Sequence, residues 1–219
     1  MRYLKRKPSS FQGSLMPHLA IEQEYLPARV CGVDEAGRGP WAGPVVAAAV
    51  LFQPHDLIPR GLNDSKKLSR RTRERLFAQI TQAGIIHGIG IATAEEIDQR
   101  NIWGATQLAM GRAVAALAIA PDMALIDGNL KPAGFPCPTR PIVGGDGISL
   151  SIAAASIIAK VTRDRLMDAL AHTYPAYGFE RHAGYGTKQH REALAAHGPC
   201  PAHRRSYAPI RALLEEMAA

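Results

Sequence analysis

Four carboxylates are the residues of this chain best suited to chemistry: Asp34, Glu35, Asp127 and Asp146. Three of these arise where an apolar run gives way to a glycine turn, at the predicted end of a strand. A carboxylate cluster with few dedicated histidines suits Mg²⁺ or Mn²⁺ rather than zinc, because hard cations prefer oxygen ligands. Two such ions about 4 Å apart can activate a water and stabilise a leaving oxygen in in-line phosphoryl displacement. The pattern therefore predicts a divalent metal site that acts on phosphoryl groups.

A Gly-Arg-Gly turn at residues 37–39 follows the first two carboxylates. Glycine lets a backbone approach a phosphate closely, and the Arg38 guanidinium offers a fork of donors. An acidic pair at a strand end is by itself most often solvated, but a negative pair beside a phosphate-reading turn favours a metal between them. Neighbouring strand residues point to opposite faces. We therefore expect the strand to end and bend at Glu35, so that Asp34 and Glu35 share the site.

The charge of the chain indicates a polyanionic partner. Its 26 basic and 19 acidic residues give a net charge of +7, and the basic residues beyond the N-terminus concentrate at 60–75 and 180–211. Basic clusters around a carboxylate centre predict a nucleic acid that is held by its phosphates. Ordinary solvated helix faces would explain either cluster taken alone.

Three further features favour a cytoplasmic location. No apolar run approaches the roughly 18 residues that a membrane span needs, and the basic N-terminus lacks the apolar stretch of a secretory signal. The three cysteines, Cys31, Cys137 and Cys200, form no C-x-x-C pair and no plausible disulfide framework. We therefore expect a reducing, cytoplasmic environment and no membrane partner.

The order of the predicted elements indicates an α/β fold, with a mixed sheet flanked by helices and a small C-terminal helical region. The predicted strands lie at 30–35, 45–52, 85–92, 121–127 and 142–143, with a proline-rich loop at 131–141. The predicted helices lie at 70–82, 93–98, 101–118, about 150–171, 187–197 and about 209–218. Ser69 should cap the first helix, and Ser149 or Ser151 the fourth. We expect the second half of the fourth helix, which includes Arg163, to emerge into solvent.

Six blocks of the sequence resemble ribonuclease HII, the type 2 ribonuclease H. They occur in order across about 30–210: DEAGRGPWAGPVV, LNDSKKLS, IDGN, GDGISLSIAAASIIAKVTRD, YGFERHAGYGT and HRRSYAPI. The resemblance implies a ribonuclease H-like fold and a metal-dependent endonuclease that hydrolyses the RNA strand of RNA–DNA hybrids. It also implies nicking 5′ of single ribonucleotides embedded in duplex DNA, which leaves 3′-hydroxyl and 5′-phosphate ends.

The resemblance assigns roles to single residues. It implies that the four carboxylates are catalytic and hold Mn²⁺ or Mg²⁺. It implies that Gly37, Arg38 and Gly39 read the ribose 2′-hydroxyl and the adjacent phosphate, and that Tyr185 lies at the RNA–DNA junction. The 2′-hydroxyl is the only group that separates RNA from DNA at one nucleotide. We expect phosphate contacts from four basic residues, with ordinary solvated surface as the alternative for each of them: Lys66, Lys67, Lys160 and Arg163.

Two positions depart from the family pattern. Trp41 stands where the family more often has leucine, and we expect this to alter packing only. Gly144 stands where many members have a lysine, which leaves Asp146 with less electrostatic support. The basic N-terminus is also outside the family pattern.

The chain is predicted to divide into three parts and to act as a monomer. These parts are a basic, flexible tail at 1–27, a ribonuclease H-like catalytic domain at 28–173 and a helical substrate-binding region at 174–219. Disorder is expected to about Pro17. The histidines of the last region lack zinc-like partners, and we expect solvated or phosphate-facing roles for His182, His190, His197 and His203.

Three other functions fit part of the pattern. The first is a general hybrid endonuclease that needs runs of ribonucleotides. The second is a catalytically silent nucleic-acid-binding domain whose carboxylates hold a structural ion. The third is an ATP-using phosphotransferase on a related fold, although the sequence has no G-x-x-x-x-G-K-[ST] loop.

Overall fold

The computed structural model describes residues 16–129 and 131–218. Five strands form one sheet: β1 (Val30–Ala36), β2 (Val45–Leu51), β3 (Ile86–Ala92), β4 (Met123–Asp127) and β5 (Thr139–Ile142). The α-helices are α1 (Ala20–Gln23), α2 (Arg70–Gln82), α3 (Ala94–Ala115), α4 (Leu150–Thr173), α5 (Phe179–His182), α6 (Lys188–His197) and α7 (Ala208–Ala218). None of the helices in these ranges is long and apolar enough to cross a membrane.

Strand pairing brings the carboxyl ends of three strands to one edge of the sheet. The strand order is β3-β2-β1-β4-β5, in which β1 is antiparallel to β2 and parallel to β4, and β4 is parallel to β5. Val33 pairs with Ile126, so the residues that follow them, Asp34 and Asp127, lie on neighbouring strands at the same level. The predicted mixed sheet is confirmed, and its pairing places two of the predicted carboxylates together.

Helices cover both faces of the sheet, as predicted. One face packs against α3, which contributes three alanines, Ala105, Ala109 and Ala113, together with larger apolar residues such as Met110. The other face packs against α4 and α2, which contribute Ile157 and Leu76 to a second buried cluster. The helices therefore cover both faces of the sheet, and β2 is buried along its whole length. This explains why its sequence is a continuous apolar run.

Close packing of α3 on the sheet depends on two glycines of β3. A Cβ atom at Gly88 would lie 2.1 Å from the carbonyl oxygen of Ala113, and one at Gly90 would lie 2.0 Å from that of Ala109. These distances are far below van der Waals contact, so any side chain at either position would push the helix away from the sheet. The alternating glycines of the third strand therefore set the distance between helix and sheet.

The chain after β3 forms two helical halves that meet at a kink, which agrees with the two helices that the sequence predicts. The helical path of α3 is interrupted at Asn101, which has φ 60° and ψ 169°. The Asn101 side-chain oxygen accepts hydrogen bonds from the backbone N–H groups of Trp103 and Gly104 at 2.9 and 3.1 Å. The second half of α3 thus has its own N-cap at the position where the sequence predicts a new helix.

Most of the other predicted boundaries lie within two residues of the observed ones, and the start of the fifth strand is the main exception. α2 has the predicted bounds, and its cap, Ser69, accepts from Thr72 N–H. Ser149, rather than Ser151, caps α4. The fifth strand begins at Thr139 instead of 142, inside the segment predicted as a loop, because Pro141 is tolerated on the edge strand of a sheet.

The C-terminal region has a buried cluster of its own. Phe179, Leu194 and Ile210 pack together with Met167, from the end of α4, and with Ala42. The apolar cluster therefore joins the C-terminal helices to the loop between β1 and β2. The division of the chain at residue 173 stays a prediction.

Two of the four histidines in this region are buried. His190 and His203 are 0% and 2% exposed, so the expectation that they face solvent or phosphate is wrong. Phe179 and Tyr177 enclose their rings. His182 is partly buried and His197 is exposed.

Residues 1–15 of the predicted tail lie outside the described residues, whereas the part from His18 to Tyr25 contacts the sheet and α4. The His18 N–H donates to the Ile148 carbonyl, and Glu22 accepts from the hydroxyls of Ser149 and Ser151 at 2.6 Å each. Because Glu22 sits at the start of α4, its negative charge is favourable to the helix dipole. The boundary at residue 27 stays a prediction.

We expect Gly90→Ala to lower the free energy of unfolding by about 1–3 kcal/mol, because the added methyl overlaps the α3 backbone. The matched control is Gly111→Ala on α3, where an added Cβ meets nothing within 4 Å. That change should raise stability by about 0.5–1 kcal/mol, since alanine is the better helix former. Urea unfolding followed by circular dichroism measures both, and equal stabilities for the two variants would contradict the packing argument.

Candidate active site

Three of the four predicted carboxylates converge at one edge of the sheet. Asp34 lies near the end of β1, Asp127 is the last residue of β4, and Asp146 lies in the 3₁₀ turn Gly145–Gly147 that follows β5. One carboxylate oxygen from each lies within 4.8 Å of the other two. The cluster thus combines two sheet positions with one turn, and its members come from distant parts of the sequence.

Local backbone geometry fixes the turn that carries the third carboxylate. The backbone N–H of Gly145 donates to Asp127 Oδ1 at 2.7 Å, which ties the turn to the end of β4. Gly144 has φ +63°, in the left-handed region where a lysine side chain would be strained. The glycine that departs from the family pattern therefore matches the backbone conformation that this chain adopts before Asp146.

The electrostatics of the cluster favour a bound cation. Burial raises the pKa of Asp34 well above its usual value, and the neighbouring charges of Glu35 and Asp127 raise it further. Burial also raises the pKa of Asp146, again with a contribution from Asp127. The nearest balancing charge is the Lys66 ammonium, 3.8 Å from Asp146 Oδ2. The donors are all oxygens, so Asp34, Asp127 and Asp146 fit a hard divalent cation, whose charge would offset their repulsion.

Glu35 is placed differently from the other three carboxylates. β1 continues in register with β2 through Ala36, so the prediction that the strand ends at Glu35 is wrong. The Glu35 carboxylate accepts a hydrogen bond from Arg38 Nη1 at 3.3 Å. Burial raises the pKa of Glu35, and Arg38 opposes that effect. The three-oxygen cluster does not include Glu35, and its role as a metal ligand stays a prediction.

A buried arginine that the sequence analysis did not single out supports the Gly-Arg-Gly turn from the interior of the protein. Arg204 is 0% exposed, and its Nη2 and Nη1 donate to the carbonyls of Gly37 and Arg38 at 2.6 and 2.8 Å. The Tyr207 hydroxyl also donates to the Arg38 carbonyl. With these carbonyls occupied on the inner side, the turn has a fixed conformation. The block HRRSYAPI contains both residues, but nothing in it indicates which arginine turns inward.

Arg163 is a second buried arginine beneath the same turn. It is 1% exposed, so the prediction that it emerges into solvent is wrong. Its guanidinium donates to the carbonyls of Pro44, Ala42 and Ala183 at 3.0, 3.3 and 3.1 Å. These bonds offset the cost of burying the charge. Arg163 is therefore better placed to join two backbone segments, the loop between β1 and β2 and the chain before Tyr185, than to contact a phosphate.

Gly37 is adapted to lie against that guanidinium. Its φ of +96° favours glycine, and a Cβ atom there would lie 1.9 Å from Arg163 Nε. Gly39 is exposed and faces Tyr185, and a Cβ atom at this position would lie 3.4 Å from that ring. The two glycines therefore have different roles. Gly37 leaves room for the Arg163 side chain on the inner side of the turn, and Gly39 leaves the outer surface of the turn uncovered.

A cleft of about 280 Å³ connects the turn, two of the carboxylates and the predicted tyrosine. It is lined by Asp34, Glu35, Ala36, Gly37, Arg38, Gly39, Ser65, Lys66, Lys160, Arg163 and Tyr185. Tyr185 is 51% exposed, which is unusual for a large aromatic side chain that only packs. The Arg38 guanidinium lies 5.9 Å from the ring centre of Trp103, a second aromatic residue beside the turn that the sequence analysis missed.

The predicted lysines are distributed around this cleft. Lys66 and Lys160 line it, and Lys160 Nζ also donates to Asp164 at 2.6 Å. Lys67 is exposed beside Gly147, outside the lining. The structure therefore brings every predicted site residue except Lys67 to the cleft or to the carboxylate cluster that adjoins it, with Arg163 placed there as a support.

Comparisons with known proteins agree with this geometry. The sequence model of the family described as Ribonuclease HII matches residues 31–210. A ribonuclease HII from Parvibaculum lavamentivorans is 56% identical over 214 residues, covering 96% of this chain and 77% of that protein. One from Paramagnetospirillum magneticum is 57% identical over 198 residues, covering 89% and 97%. The solved structure of ribonuclease H2 from Pyrococcus horikoshii OT3 is 28% identical with a TM-score of 0.69, covering 87% of this chain and 99% of that one.

We expect Asp34→Asn to raise the melting temperature in the presence of a chelator at pH 7. The folded-state pKa of Asp34 is raised, so its ionisation costs stability as the pH rises above the ordinary aspartate range, and asparagine removes that cost. Added Mn²⁺ should raise the melting temperature of the wild type and not that of the variant.

Thermal scans with chelator and with Mn²⁺ measure both effects. Asp56→Asn, at the end of the sheet away from the cleft, is the matched control and should respond to Mn²⁺ as the wild type does. An equal metal response in Asp34→Asn would show that the ion binds elsewhere.

Proposed function

Because the chain belongs to the ribonuclease HII family, we propose that it hydrolyses the RNA strand of RNA–DNA hybrids and nicks duplex DNA 5′ of single embedded ribonucleotides. The products would carry 3′-hydroxyl and 5′-phosphate ends. One observation supports this specificity above the others: the Gly-Arg-Gly turn and the carboxylate cluster adjoin in one cleft. A nucleotide held by the turn would therefore present its phosphodiester to the carboxylates.

The carboxylates would hold one or two divalent cations, Mg²⁺ or Mn²⁺. Asp34, Asp127 and Asp146 supply the clustered oxygens, with Glu35 as the predicted fourth ligand. A divalent cation in such a site lowers the pKa of bound water and stabilises charge on the leaving oxygen. The protein's own contribution is the fixed spacing of the carboxylates, which parallel strand pairing and the Gly145 hydrogen bond maintain.

The turn would read the ribose through its backbone and the Arg38 side chain. Arg204 already occupies the Gly37 and Arg38 carbonyls from the inner side, so the outer polar groups of the turn are oriented before substrate binds. Pre-oriented donors lose little entropy on binding, which favours recognition of a small group such as a 2′-hydroxyl. The exposed Gly39 would let the sugar approach the backbone.

Tyr185 would pack on the deoxyribose that follows the ribonucleotide. Its half-exposed ring lines the same cleft and lies beside Gly39 of the turn. A ring in contact with a sugar face accepts deoxyribose and would clash with an extra hydroxyl, so it would favour a junction over continuous RNA. Lys66 and Lys160 line the same cleft and would contact phosphates, with Lys67 further out.

The alternative functions fit less of the molecule. A silent binding domain would use the same cleft, but the complete set of four carboxylates beside it speaks against an ion with a structural role alone. A general hybrid endonuclease would need the same metal cluster, and only the turn and Tyr185 separate it from the proposed activity. The monomeric state and the cytoplasmic location stay predictions.

We expect the wild type to nick a DNA duplex that carries one ribonucleotide, with Mg²⁺ or Mn²⁺, at the phosphodiester 5′ of that nucleotide. Chelator should abolish the nick, and Asp34→Asn should retain below a few per cent of turnover while still binding the duplex. Gel analysis of end-labelled strands measures the position, with an all-DNA duplex as the control. Cleavage confined to long RNA runs would support the general hybrid endonuclease instead.

We expect Arg38→Ala to lower kcat/KM on the single-ribonucleotide duplex by about 10- to 100-fold, the effect of losing one hydrogen bond from a charged group. Binding to all-DNA duplex should change much less. Arg71→Ala, an exposed arginine of the basic cluster on α2, is the control and should weaken binding to both duplexes alike. A uniform loss in Arg38→Ala would make Arg38 an ordinary phosphate contact.

A further inference from the structure

Two buried histidines lie directly behind Tyr185 and contact each other. His190 is on α6 and His203 lies in the segment between α6 and α7, and their Nε2 atoms are 2.9 Å apart. His190 Nδ1 is 3.0 Å from the Tyr185 carbonyl oxygen. The contacts form a continuous path from the C-terminal segment through both rings to the backbone of the tyrosine.

The hydrogen-bond partners assign one tautomer to each ring. His203 Nδ1 lies 3.0 Å from the Cys200 N–H and 3.2 Å from the Cys200 carbonyl oxygen, and the shorter contact favours Nδ1 as an acceptor, with the proton of His203 on Nε2. His203 Nε2–H then donates to His190 Nε2. The remaining proton of His190 is on Nδ1, which donates to the Tyr185 carbonyl. This arrangement of two neutral rings satisfies the Cys200 N–H, the contact between the two Nε2 atoms and the Tyr185 carbonyl.

The surroundings keep both rings neutral. Burial lowers the pKa of His203 to about 4, with a further contribution from His190. Burial also lowers the pKa of His190, although its bond to the Tyr185 carbonyl opposes this. An added proton on His190 Nε2 would face the Nε2–H of His203 at 2.9 Å, and one on His203 Nδ1 would face the Cys200 N–H at 3.0 Å. The neutral pair therefore donates one hydrogen bond to its surroundings, from His190 Nδ1 to the Tyr185 carbonyl.

Hydrogen bonds hold the carbonyls of Gly184, Tyr185 and Gly186, and the histidine pair donates one of those at Tyr185. The Trp41 N–H donates to the Gly184 carbonyl at 2.8 Å, and Arg191 donates to the Gly186 carbonyl at 2.7 Å. The Tyr185 carbonyl accepts from His190 and from Thr187 N–H. His182 stacks on the His190 ring with centroids 4.7 Å apart, which fixes the ring plane.

We propose that His190 and His203 are positioning residues, which hold the Tyr185 backbone so that its half-exposed ring meets the sugar next to the ribonucleotide. The inference rests on the proposed function of the cleft. It assigns to the pair no contact with the substrate: His190 acts through the Tyr185 carbonyl, and His203 acts by fixing the tautomer and orientation of His190.

The histidine pair could instead be only a satisfied polar part of the core. A purely structural role predicts that its loss lowers stability and affects all substrates alike. A positioning role predicts a loss that depends on Tyr185 and on the junction. Asparagine separates the two, because its amide nitrogen can take the place of His190 Nδ1 and donate to the same carbonyl.

The test compares His190→Phe, which keeps a ring and removes the donor, with His190→Asn, which keeps a donor. We expect His190→Phe to lower kcat on the single-ribonucleotide duplex by about tenfold, with a much smaller effect on a long RNA–DNA hybrid. His190→Asn should recover most of that loss. His197→Phe, at an exposed histidine of the same helix, should match the wild type.

A double-mutant cycle with Tyr185→Ala provides the decisive comparison. In the Tyr185→Ala background, His190→Phe should cause little further loss of kcat. Additive losses, or equal losses on both substrates, would overturn the positioning role. Deuterium uptake by the peptide that contains Tyr185 gives a readout without catalysis, and it should rise in His190→Phe and not in His190→Asn. Unchanged uptake in both variants would overturn the inference even if the wild type cleaves as proposed, whereas a wild type without cleavage would overturn the proposed function alone.

Discussion

The parallel pairing of β1 with β4 is the constraint on which the rest of the site depends. It joins a strand from the start of the chain to one from its middle and sets two aspartates at the same level on adjacent strands. Burial and mutual repulsion raise the pKa of Asp34 there, so the fold carries an electrostatic cost at this edge. The apolar sheet, covered on both faces, supplies the stability that allows such a cost to persist.

Two buried guanidinium groups connect that edge to the C-terminal region. Arg163 comes from α4 and Arg204 from the segment before α7, yet both donate to backbone carbonyls around the loop between β1 and β2. Arg163 also reaches the Ala183 carbonyl, close to Tyr185 in sequence. The two sides of the cleft are therefore joined through hydrogen bonds from charged groups, which are stronger than neutral ones. The spacing between the turn and Tyr185 follows from this shared support.

The sequence predicted what depends on local chemistry. Caps such as Ser69 and Ser149, glycine turns and apolar runs gave the element order and most boundaries, because each acts over a few residues. The inward turn of Arg163 was missed because its partners are carbonyls far away in the chain. Burial of His190 and His203 was missed for the same reason, since each ring is satisfied by residues that only the tertiary fold brings together. The position of Glu35 was predicted wrongly because the pairing of β1 with β2, rather than the local sequence, determines where β1 ends.

The proline in β5 has a consequence beyond the site. The carbonyls of Pro138 and Ile142 accept hydrogen bonds from the N–H groups of Ala124 and Gly128. Because the backbone polar groups of successive strand residues point to opposite sides, the residue before Ile142 directs its backbone groups away from β4, along the free edge of the sheet. At that outward position stands Pro141, which has no N–H to offer. A strand from another molecule would meet a gap in the row of donors that it needs. The β5 edge of the sheet, next to the carboxylate cluster, is thereby protected against the edge-to-edge association that leads to aggregation.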